Sequence, residues 1–153
     1  MSILFVCTGN TCRSPMAEVF AKDIILKKDM DYIVYSRGLN VYNLGSATKE
    51  AQEVIEEYGL ELINHRSMQI TKEDITMADI ILTMTVEHKN YILKIYKEES
   101  DKVYTLKEYA ECEKNNLDIL DPYGYEIPIY RKCAKEIKKY VEMVVEKLDS
   151  YRQ

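Results

Sequence analysis

Near its start the chain reads Ile3-Leu4-Phe5-Val6-Cys7-Thr8-Gly9-Asn10-Thr11-Cys12-Arg13-Ser14-Pro15. The first four residues form a short apolar run, which is typical of a buried strand. Pro15 is favoured at the start of a helix, and the residues from Met16 to Lys22 carry helical spacing. The stretch therefore predicts a strand, a loop and a helix in immediate succession, with the loop beginning at Cys7.

The loop has the composition of an anion site. Its backbone N–H groups can converge on one ligand, and the positive end of the following helix favours negative charge. Gly9 allows a tight turn, and the planar fork of Arg13 can grip two phosphate oxygens. The same positive field favours the thiolate form of Cys7. A thiolate beneath a bound phosphate is a nucleophile directed at phosphorus.

Two other interpretations use the cysteines of the loop differently. The loop could be purely structural, or Cys7 and Cys12 could be half of a metal site. A metal site needs two more ligands, and the remaining candidates do not stand at ligand spacing. Those candidates are Cys112, Cys133, His65 and His88. We therefore expect no metal and no cofactor, and we assign no role to Cys112 or Cys133.

The composition of the whole chain narrows the class of protein. Its 153 residues, 46% hydrophobic and 31% charged, suit one domain spanning residues 1–153. No apolar run approaches the roughly 20 residues of a membrane span, and we expect neither a signal peptide nor a membrane partner. Four cysteines without framework spacing favour a cytoplasmic location. The net charge is −5 and no basic block stands out, so nucleic acid is not an expected partner.

Strand and helix signals alternate along the rest of the chain. Strands are predicted at 33–36, 78–84 and 102–105, and helices at 48–58, 86–96 and 128–151. The segment from Thr71 to Asp74 resembles a capping box that opens a short helix, and a loop is predicted over 111–125. Repeated strand–helix units predict an α/β fold, with helices on both faces of a parallel sheet. The ligand of such a sheet lies beyond the carboxyl ends of its strands, where Cys7 stands.

Attack on phosphorus needs a proton donor for the departing atom. The best candidate is Asp121, because Pro122 stiffens the backbone after it and Tyr123 adds an aromatic wall beside it. Asp118 is its competitor. Asp-Pro is also a turn signal, and on its own it would indicate no more than a turn.

Together, the loop at 6–15 and the late Asp121-Pro122-Tyr123 resemble the low-molecular-weight protein tyrosine phosphatase family. The similarity extends over nearly the whole chain. It implies a four-stranded parallel sheet with helices on both sides and a phosphate-binding loop between the first strand and the first helix. It also implies that Cys7 is the nucleophile, that Arg13 is the phosphate clamp, and that Asp121 is the general acid and then the base.

The same resemblance implies roles for the residues around the nucleophile. Ser14 would hydrogen-bond the thiolate, and a buried polar network would hold the loop in shape. The members of that network are Asn10, Ser36 and His65. The substrate-binding residues that the resemblance implies are Thr8, Gly9, Asn10, Thr11, Cys12, Arg13, Ser14 and Tyr123.

Position 11 separates two branches of the family. Tyrosine-specific members usually carry a bulkier aliphatic residue there, whereas this chain has Thr11, as do members that act on phosphoarginine. The segments 11–18 and 101–109 also resemble that bacterial protein arginine phosphatase branch. A small hydroxyl side chain leaves room for a planar guanidinium, which Asp121 could hold by charge and Tyr123 by stacking. We therefore expect removal of phosphate from phosphoarginine in proteins; the alternative is a protein tyrosine phosphatase.

Two further alternatives share the loop. An arsenate reductase needs extra cysteines after the third strand, and the segment 83–89 has none. A non-catalytic module could bind phosphate or sense oxidation, since Cys7 and Cys12 are close enough in the loop to form a disulfide. Such a module would give Asp121 no role. The expected partners are phosphorylated proteins as substrates and inorganic phosphate as product and inhibitor.

Overall fold

The computed structural model of the chain describes residues 1–42, 44–110 and 114–152. Within these residues, four strands alternate with helices. The strands are β1 (Ser2–Cys7), β2 (Ile33–Gly38), β3 (Ile80–Thr83) and β4 (Val103–Thr105). The helices are α1 (Arg13–Lys27), α2 (Lys49–Glu56), α3 (Lys72–Met77), α4 (Val86–Ile95), α5 (Leu106–Tyr109) and α6 (Ile127–Ser150), with a 3-10 segment at Lys97–Lys102.

The four strands form one parallel sheet in the order β2-β1-β3-β4. The predicted α/β fold with a four-stranded parallel sheet is therefore confirmed. β1 pairs with β2 on one side and with β3 on the other, so the direction of winding reverses at β1. At such a reversal a crevice opens beyond the carboxyl ends of the strands. Cys7, the last residue of β1, stands at that crevice beside Gly38 of β2.

Both faces of the sheet are covered, and β1 shows this residue by residue. Ile3 and Phe5 belong to a core shared with α1, α2 and α6, whereas Leu4 and Val6 belong to a core shared with α3 and α4. All four side chains are fully buried. This double burial explains why the run is apolar throughout rather than alternating with polar residues.

Threonine residues begin four of the helices. The hydroxyl oxygens of Thr48, Thr71, Thr85 and Thr105 accept backbone N–H groups in the first turns of α2, α3, α4 and α5. Such bonds satisfy N–H groups that have no partner inside a helix. Just beyond α2, Gly59 has φ of 75°, a left-handed conformation that suits glycine. The predicted capping box at Thr71 is confirmed, and α2 ends at Glu56, slightly before the predicted helix end at residue 58.

The structure differs from the sequence prediction in several elements. Helix α1 begins at Arg13, so Pro15 lies inside its first turn, where a missing N–H breaks no helical bond. The third strand is shorter than predicted, and both α5 and the 3-10 segment at 97–102 were not predicted. Cys112 lies outside the described residues.

Candidate active site

The crevice beyond β1 is a cavity of about 580 Å³. The loop between β1 and α1 forms one wall, with Cys7, Thr8, Gly9, Thr11, Cys12 and Arg13. The other walls come from the segment after β2, the start of α2 and the loop before α6. They contribute Asn40, Tyr42, Gly45, Ser46, Thr48, Asp121 and Tyr123. The fold thus gathers residues from both ends of the chain around the end of one strand.

Cys7 is held by groups of its own loop. Its thiol is buried, and its sulfur lies 2.9 Å from the Oγ atom of Ser14. The backbone N–H of Asn10 donates to the same sulfur at 3.3 Å. Both groups can donate a hydrogen bond to a thiolate, so the loop is suited to hold sulfur in that form.

Asn10 shapes the loop from within. Its φ of 57° is left-handed, whereas Gly9, which was predicted to permit the tight turn, lies outside that region. Asn10 is fully buried, and its Nδ2 atom donates to the Oγ atoms of Ser14 at 2.8 Å and Ser36 at 2.9 Å. Its Oδ1 atom accepts the backbone N–H of Met68 at 3.0 Å. These bonds offset the strain of a left-handed non-glycine residue.

The backbone of Asn10 is held as well. The Nε2 atom of His65 lies 2.7 Å from the carbonyl oxygen of Asn10, and Ser67 donates to the same oxygen at 2.8 Å. Burial lowers the pKa of His65, so the ring is neutral at pH 7 and donates through Nε2. Ser36 donates in turn to Glu18 at 2.6 Å. The structure therefore brings Asn10, Ser36 and His65 together, and adds Ser67 and Glu18, which the sequence analysis missed.

The end of β2 supports the back of the loop. A Cβ atom at Gly38 would lie 2.7 Å from the backbone oxygen of Thr8, so a larger residue there would push strand and loop apart. Just beyond, the N–H of Leu39 donates to the oxygen of Cys7, and the N–H of Asn40 donates to the oxygen of Thr8, both at 2.9 Å. The two peptide groups that follow the nucleophile are therefore anchored to the segment just after β2.

The contacts of the two candidate general acids, Asp121 and Asp118, distinguish one from the other. The buried guanidinium of Arg13 lies 3.5 Å from the carboxylate of Asp121 and donates to the backbone oxygen of Ile119 at 2.9 Å. Asp118 instead accepts the backbone N–H of Val86 at 2.8 Å, at the start of α4. Asp121 lines the cavity and Asp118 does not. The geometry therefore favours Asp121 as the group that meets a ligand.

Asp121 begins a turn that orients its carboxylate. Its Oδ1 atom accepts the backbone N–H of Tyr123 at 3.1 Å, and the N–H of Tyr125 donates to the oxygen of Pro122 at 3.0 Å. Gly124 has φ of 86° within this turn. The ring of Tyr123 is 67% exposed and lines the cavity. The Asp121-Pro122 pair thus begins a turn, and Asp121 and Tyr123 of this turn line the cavity.

The far wall of the loop is formed by Thr11 and Cys12. The backbone oxygen of Thr11 accepts the N–H of Thr48 at 3.0 Å, which fixes the loop to the start of α2. The sulfur of Cys12 lies 3.4 Å from the hydroxyl of Tyr130 and 3.6 Å from that of Thr48. Burial raises the pKa of the Cys12 thiol, so Cys12 is protonated at neutral pH.

A model of the low molecular weight phosphotyrosine protein phosphatase family matches residues 2–153. The chain belongs to this family. The match covers the loop, the sheet and the turn at Asp121 together, and it confirms the resemblance seen in the sequence.

Relatives in this phosphatase family carry two kinds of name. The protein-arginine-phosphatase of Bacillus subtilis is 39% identical over 153 residues, which cover both chains completely. The low molecular weight protein-tyrosine-phosphatase PtpB of Staphylococcus epidermidis is 37% identical over 145 residues, covering 94% of this chain and 96% of its own. The overall sequence identity to these relatives therefore does not distinguish an arginine phosphatase from a tyrosine phosphatase.

Solved structures of the phosphatase family share the fold. The YwlE arginine phosphatase from Geobacillus stearothermophilus has a TM-score of 0.91 at 38% identity, covering 99% of this chain and 94% of its own. The C7S mutant of a YwlE arginine phosphatase, with a phosphorylated active site serine, has a TM-score of 0.92 at 39% identity, covering 97% and 96%. In that relative, the residue that replaces cysteine carries the phosphoryl group.

The sequence analysis of this phosphatase missed His88 as a neighbour of the site. Its Nε2 atom lies 2.9 Å from the Oγ1 atom of Thr8, although the two residues are 80 positions apart. The ring is 7% exposed. The available signal was indirect: His88 lies in the first turn of a helix that follows a central strand, and such turns meet at the carboxyl edge of the sheet.

Other features of the described residues bear on the remaining expectations. Among these residues no cluster of three or more His, Cys, Asp or Glu could hold a metal ion, and no helix is long and apolar enough to cross a membrane. Cys133 is buried on α6, where its thiol donates to the backbone oxygen of Leu120 at 3.7 Å. Burial raises the pKa of Cys133 to about 12, so this thiol is not a nucleophile at neutral pH.

Proposed function

We propose that this protein removes the phosphoryl group from phosphoarginine in proteins, through a phosphocysteine formed at Cys7. The phosphatase chemistry follows from the family. The observation that carries the choice of substrate is Thr11, which lines the cavity inside the phosphate-binding loop. The protein-arginine-phosphatase of Bacillus subtilis, 39% identical over its full length, supports the same substrate.

In the first step, the thiolate of Cys7 would attack phosphorus while the bond from phosphorus to the guanidinium nitrogen breaks. The electron pair of that bond stays on nitrogen, which takes a proton from Asp121. Arg13 and the N–H groups of the loop would hold the phosphoryl oxygens as charge shifts among them. The products of this step are a phosphocysteine and a free arginine side chain.

In the second step, water would attack the phosphocysteine. Asp121, now a carboxylate, accepts a proton from the water, and the bond between phosphorus and sulfur breaks with its electron pair returning to Cys7. Inorganic phosphate leaves and the thiolate is restored. Because the product occupies the same loop as the substrate, we expect phosphate to inhibit competitively. The proposed phosphate-binding residues are Thr8, Gly9, Asn10, Thr11, Cys12, Arg13 and Ser14.

Substrate choice would depend on the side chains beside the departing nitrogen. Thr11 is smaller than the aliphatic residues usual in tyrosine-specific members, so it leaves room for a planar guanidinium. The side chain of Asp121 is 50% exposed, and its carboxylate can hold the guanidinium charge from the cavity side. The exposed ring of Tyr123 can stack on the guanidinium plane.

The second candidate function is a protein tyrosine phosphatase with the same mechanism. PtpB of Staphylococcus epidermidis, 37% identical, supports it. Two other functions fit less well. The segment 83–89 contains no cysteine that could resolve an arsenic adduct, as an arsenate reductase needs. A phosphate-binding redox module would leave the cavity position of Asp121 without a role.

The cellular setting is part of the proposal. We propose one phosphatase domain spanning residues 1–153, acting on phosphorylated proteins in the cytoplasm. The thiols of Cys7, Cys12 and Cys133 are free, which suits a reducing compartment.

The proposal is tested by turnover of two peptides of one sequence, bearing either phosphoarginine or phosphotyrosine. We expect a higher kcat/KM for phosphoarginine. A higher value for phosphotyrosine would favour the second candidate. Release of phosphate from neither peptide, nor from a small aryl phosphate, would contradict the phosphatase function itself.

A further inference from the structure

His88 is a buried titratable residue beside the candidate active site that the mechanism above does not use. It lies in the first turn of α4, where its backbone N–H donates to the hydroxyl of Thr85. Its ring is 7% exposed, and its Nε2 atom lies 2.9 Å from the hydroxyl oxygen of Thr8. Thr8 is the residue that directly follows the nucleophile, so this contact joins α4 to the phosphate-binding loop.

The ring of His88 is neutral at neutral pH. Burial lowers its pKa to about 4, and the positive charge of Arg13 acts in the same direction, against smaller effects of Asp121 and Asp118. A neutral imidazole has a single N–H. The Nδ1 atom has no hydrogen-bond partner in the described part of the chain. Because a buried N–H without a partner is rarer than an unpaired acceptor, we assign the proton to Nε2, which donates to Thr8.

Leaving Nδ1 unpaired costs stability. An apolar side chain of similar size would fill the same space without that cost. The polar ring is therefore better explained by its bond to Thr8 than by packing alone.

Thr8 is held from two sides. Its backbone oxygen accepts the N–H of Asn40, which ties it to the segment after β2. Its side chain bonds His88, which ties it to α4 on the other side of β1. The bond to His88 also selects the χ1 rotamer of Thr8, since only one rotamer of a branched side chain directs the hydroxyl at the ring.

The junction of β3 and α4 also holds the loop that carries Asp121. The N–H of Val86 donates to Asp118 at 2.8 Å, and the N–H of Ile119 donates to the backbone oxygen of Met84 at 2.9 Å. The junction of β3 and α4 therefore contacts the nucleophile side of the cavity through His88 and the acid side through residues 118–119.

We propose that His88 is a positioning residue of this phosphatase: by bonding Thr8 it holds the loop after Cys7 in register with the loop that carries Asp121. The inference rests on the proposed function. Its consequence is that loss of the bond lowers kcat, because thiolate and acid must flank phosphorus at the same moment.

The test compares three variants, His88→Phe, His88→Gln and Thr8→Val. Phenylalanine fills the space without a donor, glutamine keeps a donor at about the reach of Nε2, and valine removes only the hydroxyl. We expect His88→Phe and Thr8→Val each to lower kcat about tenfold on a phosphoarginine peptide and on a small aryl phosphate, with KM nearly unchanged. The double variant should lose no more than either single variant, and His88→Gln should recover most of kcat.

Lys89→Met is the matched control, because Lys89 lies on the same turn and pairs with Glu108 at 2.8 Å, away from the phosphate-binding loop. Its kcat should equal that of the wild type. If His88→Phe and Thr8→Val lower the melting temperature but leave kcat unchanged, the role of His88 is packing and the inference is wrong. A wild type that is inactive on both substrates contradicts the proposed function instead, and this inference with it.

Discussion

The guanidinium of Arg13 and the carboxylate of Asp121 lie 3.5 Å apart, although one side chain is 5% exposed and the other 50%. The proposed clamp is thus built into the first turn of α1, whereas the proposed acid reaches it from a surface turn. Half-exposed pairs of this kind contribute little to stability, so the contact can be given up at small cost. We expect that phosphate bound in the loop would give Arg13 phosphoryl oxygens as partners and would leave Asp121 at the mouth of the cavity.

Cys7→Ser should abolish turnover and leave phosphate binding largely intact, because the hydroxyl is a far weaker nucleophile and the rest of the loop is unchanged. Rapid quench of the wild type with substrate, followed by mass spectrometry, should show a phosphoryl group on Cys7. Turnover by Cys7→Ser at the wild-type rate would contradict the role given to Cys7.

Asp121→Asn should lower kcat by about 10²–10⁴, most severely for poor leaving groups, because the amide cannot supply a proton. Asp118→Asn serves as the matched control, since Asp118 accepts a backbone N–H of α4 and lies outside the cavity. Asparagine keeps an oxygen that can accept this N–H, so the variant should retain most of the wild-type kcat. A larger loss of kcat in Asp118→Asn would reverse the assignment of the two carboxylates.

Thr11→Ile should change substrate preference. The larger side chain crowds the guanidinium, and differences of a methylene or two are worth about 10–200-fold in discrimination. We expect kcat/KM to fall for a phosphoarginine peptide and to be spared or raised for a phosphotyrosine peptide. The ratio of the two values is the quantity to measure, and an unchanged ratio would remove Thr11 as the specificity residue.

Peroxide should produce a reversible disulfide between Cys7 and Cys12. Cys12 is protonated at neutral pH, so Cys7 is oxidised first and Cys12 then resolves the sulfenic acid. Mass spectrometry should find the pair joined and activity restored by a thiol reductant. Cys12→Ser should be inactivated irreversibly, whereas Cys133→Ser should behave as the wild type. A stable sulfinic acid on Cys7 with Cys12 free would contradict this protective role.

Stability should fall as pH drops from about 6.5 toward 4 because of His88. The folded state holds the pKa of His88 at about 4, by burial and by Arg13 against Asp118 and Asp121, so the unfolded chain takes up the proton first. The contribution is at most about 3 kcal/mol of unfolding free energy. Urea unfolding at pH 7 and pH 4.5 measures it. His88→Gln, which does not titrate, should show a smaller loss, and an equal loss would exclude His88 as the cause.

The phosphate-binding loop and the four strands could be predicted because their signals are local. These signals are the apolar run at Ile3–Val6, the threonines at the starts of helices, and Gly59. Each one influences the backbone conformation of residues that are close to it in sequence. Helix α5 had such a signal as well, since Thr105 and Glu108 form a capping box. It was missed because Thr105 was counted as the last residue of a strand.

The support of the site could not be predicted in the same way. Ser67 is 57 positions from Asn10, and His88 is 80 positions from Thr8, so no window of sequence contains both members of either pair. The sequence analysis also assigned the tight turn of the loop to Gly9, whereas the residue with a left-handed φ is Asn10. Glycine is the usual choice there, but the buried bonds of Asn10 make asparagine suitable, and those bonds come from parts of the chain that only the fold brings near.

The side chain and the backbone oxygen of Asn10 are held by hydrogen bonds to groups that the fold itself supplies, on Ser14, Ser36, His65, Ser67 and Met68. The loop therefore acquires its shape when the chain folds, and the entropy of ordering it belongs to folding rather than to each encounter with substrate. Oxyanions such as phosphate or vanadate should enter in a single kinetic phase whose rate is linear in concentration, without a later isomerisation. The capacity to bind them should also disappear together with the sheet on unfolding, because no part of the loop keeps its conformation alone.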